Sequence, residues 1–394
     1  MSVRFKMCGR LSMPRDTEKF HPYQEQVYEK SGWHRKVLNF NVQSDTNSHI
    51  LQIASGCFDD GHGMIYTQKI VDGKTENIQI PFKDRLKQNN VDQVASSRKF
   101  VLDLEQPGRR KLLSDAYRKI KDGSTLTDEE LKAIGLTDQS EVEDALTESY
   151  SLRKEFISEW DYVDAVKSIL DHPVYNGKKF TVSGNGDYTY NGRFYENLVP
   201  NRIYLAADDA EEYATETVIL FTTDDSVDEM SVEDLGKYYI NGWHREYVNS
   251  QALKGSVFVP IRITIHDSQD EKAKKKIRKN VDLFKHDDTE TLYQCSVNLN
   301  MINGSPRVKL TTDMLSDEDK ELLEYELTSW DDLVVKYGGG SMYGERVTEL
   351  AFEKFNVLNK AITPTETAFS IDDTEIKNPD EDDNVFDEDG DDDL

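Results

Sequence analysis

Apolar and polar residues alternate through most of the first hundred positions. Val3, Phe5 and Met7 alternate until Gly9 interrupts them. In KVLNFNV, Leu38, Phe40 and Val42 share one face while Val37, Asn39 and Asn41 share the other. HILQIASG and GMIYTQKIV continue the two-residue period, and Ile78, Ile80 and Phe82 keep it strictly. Successive side chains of a strand point to opposite faces, so this period predicts half-buried strands. QSDTNS, FDDGHG and VDGKT supply turns between them. Short strands at such spacing predict a small barrel or sandwich.

From Leu112 the period lengthens. Thr127 with Glu130, and Ser140 with Glu143, read as capping boxes. Val142, Ala145, Leu146, Leu152, Phe156, Trp160, Val163, Val166 and Leu170 fall on one helical stripe, which ends before His172 and Pro173. Alternation returns at Phe180 and Val182, followed by a Gly-rich bend and a hairpin signal at Asn191 and Gly192. ETVILFTT reads as a buried strand. KYYINGWHREYVN and GSVFVPIRITIH read as a strand pair, with Pro260 marking an edge or a bulge. The pattern then predicts a basic helix over 270–285 and a hairpin turning at Asn303 and Gly304. A helix carrying Leu323, Leu327, Trp330, Val334 and Tyr337 follows, and a last helix over 343–361. Beyond Thr363 the periodicity vanishes, and the composition predicts disorder.

The expected fold is therefore mixed α and β. It has a first β-barrel over 1–105, a helical connector over 106–175 and a second β-barrel over 176–268. An α+β region over 269–362 and a disordered acidic tail over 363–394 complete it.

Charge changes the picture. The net charge of -27 argues at first sight against a polyanionic partner. Residues 371–394, however, hold thirteen acids and one lysine, a net of -12. Within the remainder lie basic islands at 98–121 and in KAKKKIRK, 272–279. Cys8, Cys57 and Cys295 are far apart in sequence, which predicts no disulfide framework and a reducing compartment. The first residues carry charges where a signal peptide needs an apolar core, and no run approaches a membrane span of ~18 apolar residues. A cytoplasmic protein is expected.

Motifs for catalysis are missing from the sequence. The eight histidines lack zinc-ligand spacing, and there is no phosphate-binding loop of the GxxxxGK[ST] type. VSGNGDY has G-x-G without the third glycine, and CFDDGHG reads as a hairpin turn rather than a metal loop. No catalytic residue, cofactor or metal is expected, and the chain reads as a non-enzyme.

Aromatic and basic residues interleave on the predicted strands. The first block offers Trp33, Arg35, Lys36, Phe40 and Tyr66. The second offers Tyr188, Tyr190, Arg193, Phe194, Tyr195, Arg202 and Tyr204, then Trp243 and Arg245. A single nucleic-acid strand needs π faces for its bases, at about 1–3 kcal/mol each, and cations for its phosphates. Strand aromatics also pack cores, so each candidate has a structural alternative.

The runs KVLNFNVQSDTNSHILQIASG, GRFYENLVPNRIYL and GSVFVPIRITI, with the acidic tail, resemble OB-fold single-stranded DNA-binding proteins, particularly those of tailed bacteriophages. The resemblance implies tandem OB-like barrels that coat and protect single-stranded DNA in replication and recombination, without reading sequence. It implies a tail that recruits replication or recombination proteins and competes with DNA for the basic groove. The tail contacts would be Phe386, Asp391, Asp392, Asp393 and Leu394. Bacterial members end in a short apolar tip, whereas here the acids run up to a single Leu394. A phage-encoded chain would work in the host cytoplasm. A structural or scaffolding protein of a phage particle, with its aromatics in cores and interfaces, is the alternative reading. The oligomeric state is not legible.

Overall fold

The computed structural model describes residues 3–356 apart from 45, 59–60, 230–231, 233–234, 289–290, 306–309, 311, 326 and 338–343, and then 363–364 and 374. Phe386, Asp391, Asp392, Asp393 and Leu394 lie outside the described residues.

Strands β1 (Arg4–Ser12), β2 (Tyr23–Tyr28), β3 (Trp33–Gln43) and β4 (Ser48–Phe58) come first. A hairpin of β5 (Met64–Val71) and β6 (Lys74–Pro81) forms a two-stranded sheet of its own. It leads into α1 (Gln88–Gln93), β7 (Phe100–Asp103), α2 (Arg109–Lys121) and α3 (Asp128–Ala133). Next come α4 (Val142–Ser151), β8 (Arg153–Phe156) and α5 (Glu159–Asp171). β9 (Lys179–Tyr190), β10 (Phe194–Leu205), β11 (Tyr213–Thr222), β12 (Val227–Asp228), β13 (Lys237–Asn249) and β14 (Lys254–His266) follow. The described chain closes with α6 (Glu271–Asp282), β15 (Tyr293–Gly304), α7 (Asp317–Glu324), α8 (Trp330–Lys336), β16 (Val347–Phe355) and β17 (Thr363–Pro364).

The fold is mixed α and β, as the sequence predicts, but fifteen strands hydrogen-bond into one continuous sheet. Its pairings run in two circuits. In the first, β1 pairs with β3, β3 with β4, β4 with β10, β10 with β9, and β9 with β1. In the second, β11 pairs with β13, β13 with β14, β14 with β16, β16 with β15, and β15 with β11. Each circuit is antiparallel except for one parallel contact, β4 with β10 and β14 with β16. β1 also pairs with β11 and so joins the two. The sequence pattern groups 179–205 with the later strands, yet these residues complete the first circuit. The helices of the expected connector therefore lie between β4 and β9 of one circuit.

Two apolar clusters fill the circuits. Phe5, Leu38, Phe40, Leu51, Phe180 and Ile203 pack against Tyr162, Val163 and Val166 of α5. Val218, Leu220, Ile240, Val259, Ile263 and Val297 pack with Val281 and Phe284 at the end of α6. Burying a Leu, Ile or Phe side chain contributes about 1.5–3 kcal/mol, so these faces dominate the stability. α5 starts where the Ser158 hydroxyl accepts the Trp160 N–H at 3.2 Å. α6 is the expected basic helix, with the Asp270 carboxylate accepting the Ala273 N–H at 3.0 Å. The hairpin at Asn191 and Gly192 forms as expected, with Gly192 at φ 70°.

Several expected elements differ. The stripe from Val142 to Leu170 is not one helix: β8 interrupts it by pairing antiparallel with β7, and tertiary pairing overrides local periodicity. The Thr127 capping box forms, but the Ser140 one does not, because the Asp138 carboxylate accepts the Ser140 N–H at 2.8 Å. Gly9 and the glycines of VSGNGDY lie within β1 and β9 rather than breaking them. Asn303 and Gly304 lie in β15 opposite Thr348 and Val347, not at a turn. The last expected helix is strand β16, and the helix before it is two short helices, α7 and α8. No helix among the described residues is long and apolar enough to cross a membrane.

Candidate nucleic-acid interface

The alternation of β9 sends Phe180 and Val182 into the core and leaves Thr181, Ser183, Asn185 and Asp187 on the outer face. On β10 the register shifts between Pro200 and Arg202, which sets Arg202 opposite Ser183 and Tyr204 opposite Thr181. The short turn Ser96–Arg98 and the β5–β6 hairpin stand beside this face. Between them runs a groove made of connected cavities.

The first cavity, about 430 Å³, is lined by Arg4, Arg98 and Arg202 with Gln68, Asn185 and Asn201. Every charged residue lining it is an arginine. Arg202 Nη2 donates to the Ser96 carbonyl at 3.1 Å, and Arg98 Nε donates to Gln68 Oε1 at 2.9 Å. A guanidinium carries five N–H donors, so these bonds position each group and leave donors for a ligand.

A second cavity of about 510 Å³ shares Arg98, Asn185 and Asn201 with the first and adds Tyr66, Phe100 and Asn197. Tyr66 is 76% exposed on β5. Toward the other end, Arg202 and Tyr204 share a smaller cavity with Lys99, Arg153 and Glu155. There the charges are committed, because Lys99 and Arg153 each hold Glu155 at 2.8 Å. Burial opposes ionisation of Glu155, but these hydrogen bonds hold its carboxyl below the usual range. Tyr204 also borders a cavity of about 940 Å³, which α2 lines with Lys111 and Arg118 opposite Lys6 of β1. Arg110 is spent inside it, bound to Asp103 at 2.6 and 2.8 Å. Tyr195 lies nine residue steps before Tyr204 on β10, which at roughly 3.3 Å per step gives a face about 30 Å long.

A second aromatic and basic face lies on β13 and β14. Tyr239, Trp243, Arg245 and Tyr247 occupy alternate positions of β13, outward from the core side held by Tyr238, Ile240 and Val248. Arg262 opposite them stacks over Tyr239 at 5.2 Å and donates to Asn241 Oδ1 at 2.9 Å. Trp243 packs partly against Phe221, Phe258 and Leu292. Val248 pairs with Tyr188, so Tyr247 stands on the same face as Asp187. A third cluster sits at one end of β3 and β4, where Trp33 meets Phe58 edge-on at 4.8 Å and His62 stacks on Phe58 at 4.1 Å. Arg35 is exposed beside it.

Not every expected residue lies on these faces. Phe40 is fully buried in the first core, on the inward side of β3 with Leu38 and Val42. Lys36 is buried, pairs with Asp164 at 2.8 Å and lies under the Trp160 ring at 4.1 Å. Tyr188 is buried and its hydroxyl donates to Glu196 at 2.7 Å. Tyr190 and Phe194 pack on each other at 5.0 Å against the second core. Arg193 and Tyr195 remain exposed beside the hairpin tip, bonded to each other at 2.6 Å. The structure thus brings Tyr66, Arg202 and Tyr204 together and sets Trp243 and Arg245 on the adjoining face. Sequence reasoning missed Arg4, Asn185, Asn197 and Asn201 and saw Arg98 only as part of a basic island. The available signal was their outward parity on β1, β9 and β10.

The junction of the circuits buries an acidic cluster. The Val3 N–H donates to Glu246 Oε1 at 2.6 Å, and His244 Nδ1 lies 3.4 Å from the same oxygen. Burial, then the charges of Glu196 and Glu246, push the Glu216 carboxyl well above its usual range.

No family model matches the chain, and no curated protein matches it. Among solved structures, a deletion mutant of the single-stranded DNA binding protein from Thermus aquaticus aligns with 76% of this chain and 86% of its own. The identity is 8% and the TM-score 0.26, a likeness too remote to argue from.

Proposed function

We propose that the chain binds single-stranded DNA without reading its sequence and without catalysing a reaction. The observation that carries this reading is the cavity of Arg4, Arg98 and Arg202, which no carboxylate lines. In a chain of net charge -27, a pocket of three cations without a counter-anion marks a site for an external polyanion. Tyr66 and Tyr204 lie along the same groove and offer rings to bases.

The order of pairing supports an OB-like reading of both circuits. Each runs first, second, third, fifth and fourth strand, with the third and fifth parallel and a helix between the third and fourth. OB folds bind oligonucleotides on the face of strands two and three. Those strands are β3 with β4 and β13 with β14, where Trp33, Arg35, Trp243 and Arg245 face outward. On this reading the first unit is discontinuous, formed by 3–58 and 159–205, and the second spans 213–355. Coating and protection of single strands in phage replication and recombination, in the host cytoplasm, follow from the same reading. The acidic tail, through Phe386 and the last aspartates, would recruit basic partner proteins and compete for the groove.

The test is a titration of a fluorescent dT oligomer and a duplex of equal length with the full chain. Single strands should bind at least tenfold tighter, and a chain ending at Lys377 should bind tighter still. Failure to bind either nucleic acid, or equal affinity for both, contradicts the proposal.

A further inference from the structure

We propose that the cavity between the β5–β6 hairpin and the β9–β10 face takes one unstacked nucleobase, while the three-arginine cavity beside it takes the adjoining phosphate. This rests on the single-strand reading above and gives it a local geometry.

The two cavities share Arg98, Asn185 and Asn201, so they adjoin and a ligand spanning both meets unlike surroundings. Their chemistry is opposite. The arginine cavity holds no carboxylate, whereas the other is lined by Glu159 and Asp187, with Arg98 and Lys99 as its cations. Lys99 is neutralised by Glu155 at 2.8 Å. A phosphate in the second cavity would face two carboxylates, so it belongs in the first. A neutral base has no such penalty, and its N–H donors, thymine N3–H or the amino groups of the other bases, can donate to carboxylates.

The second cavity is also shaped for a flat, part-polar ring. Ala54, Ile65, Phe100, Ile157 and Val199 give it apolar walls. Asn185, Asn197 and Asn201 supply three side-chain amides, none hydrogen-bonded to another described residue. Each amide offers both donors and an acceptor, so the set can meet the edge of any base. That selects for the presence of a base rather than its identity. Tyr66 stands exposed at the rim, on a hairpin held beside the cavity by the Ala95 N–H donating to the Gln68 carbonyl at 2.7 Å.

The experiment uses the full chain and a set of dT oligomers, each with one abasic site moved along the strand. Stacking is worth about 1–3 kcal/mol per base, and tenfold in affinity corresponds to about 1.4 kcal/mol. One abasic position should therefore lose about tenfold or more, with the others changing less than about threefold. The position-dependent loss should flatten in Tyr66→Ala and in the double variant Asn185→Ala, Asn197→Ala. In Arg202→Ala affinity should fall while the profile stays peaked. A uniform profile with the unmodified protein overturns the base pocket while leaving single-strand binding intact. If no oligomer binds at all, both proposals fail.

Discussion

Replacing Arg4, Arg98 and Arg202 together by alanine tests the groove through its salt dependence. Each phosphate neutralised on a single strand contributes about -0.7 to the slope of log affinity against log salt. The three guanidiniums lining one cavity should therefore account for about two units of that slope. Between 50 and 200 mM salt, the unmodified chain should lose roughly 20-fold more affinity than the triple variant. The cost to folding is small. Arg4 and Arg98 are exposed, and the Arg202 bond to the Ser96 carbonyl contributes about 1 kcal/mol. The assay is a titration of a fluorescent dT oligomer at three salt concentrations, with circular dichroism melts to confirm the fold. A companion variant with three lysines should keep most of the slope. A folded alanine variant with the parent's slope would refute the assignment of these arginines to the phosphate path.

Other expectations follow from burial and contact. Phe40→Ala should destabilise the chain by about 3–5 kcal/mol because Phe40 is fully buried; denaturant unfolding checks this, and a loss under 1 kcal/mol contradicts the core assignment. Gly184→Ala should cost about 1–3 kcal/mol, since a Cβ there meets the Val199 carbonyl and lies 2.7 Å from the Phe5 ring; an unchanged melting temperature would show that β9 and β10 can separate freely. Glu216 holds its proton in the folded chain after the unfolded chain has lost its own. That contribution to stability is intact below about pH 4.5 and is lost as pH rises through the raised value. Glu216→Gln should therefore gain stability relative to the parent as pH rises from 4.5 to 7.5; a constant difference across that range contradicts the buried, protonated carboxyl.

Local features of the fold were legible. The alternation of Leu38, Phe40 and Val42 marks β3, and Asn191 with Gly192 marks the long hairpin. Asp270 and the lysines after it mark α6. Closure of the first circuit was not legible, because β9 and β10 pair with β1 and β4 across more than a hundred intervening residues. No local period reports such a pairing. The stripe through Trp160 looked continuous because Leu152 and Phe156 keep helical spacing while β8 carries Phe156 into a strand. β16 deceived in the same way, with Val347, Leu350, Ala351 and Phe355 spaced as on a helix. The groove was legible only in part. Arg202, Tyr204 and Tyr66 stand out as aromatic or basic residues on strands. Arg4 and Asn185 are ordinary polar positions until β1 and β9 come together. Phe40 and Lys36 were drawn in by residue type, although the parity of β3 turns both inward.

Hydrogen exchange of the full chain with and without a saturating dT oligomer tests the central claim most directly. Binding along the groove should slow exchange in the turn Ser96–Arg98, in β5 and in the outer register of β9 and β10. Slowing confined to α7 and α8, or no change at saturation, would contradict a single-strand path along this face.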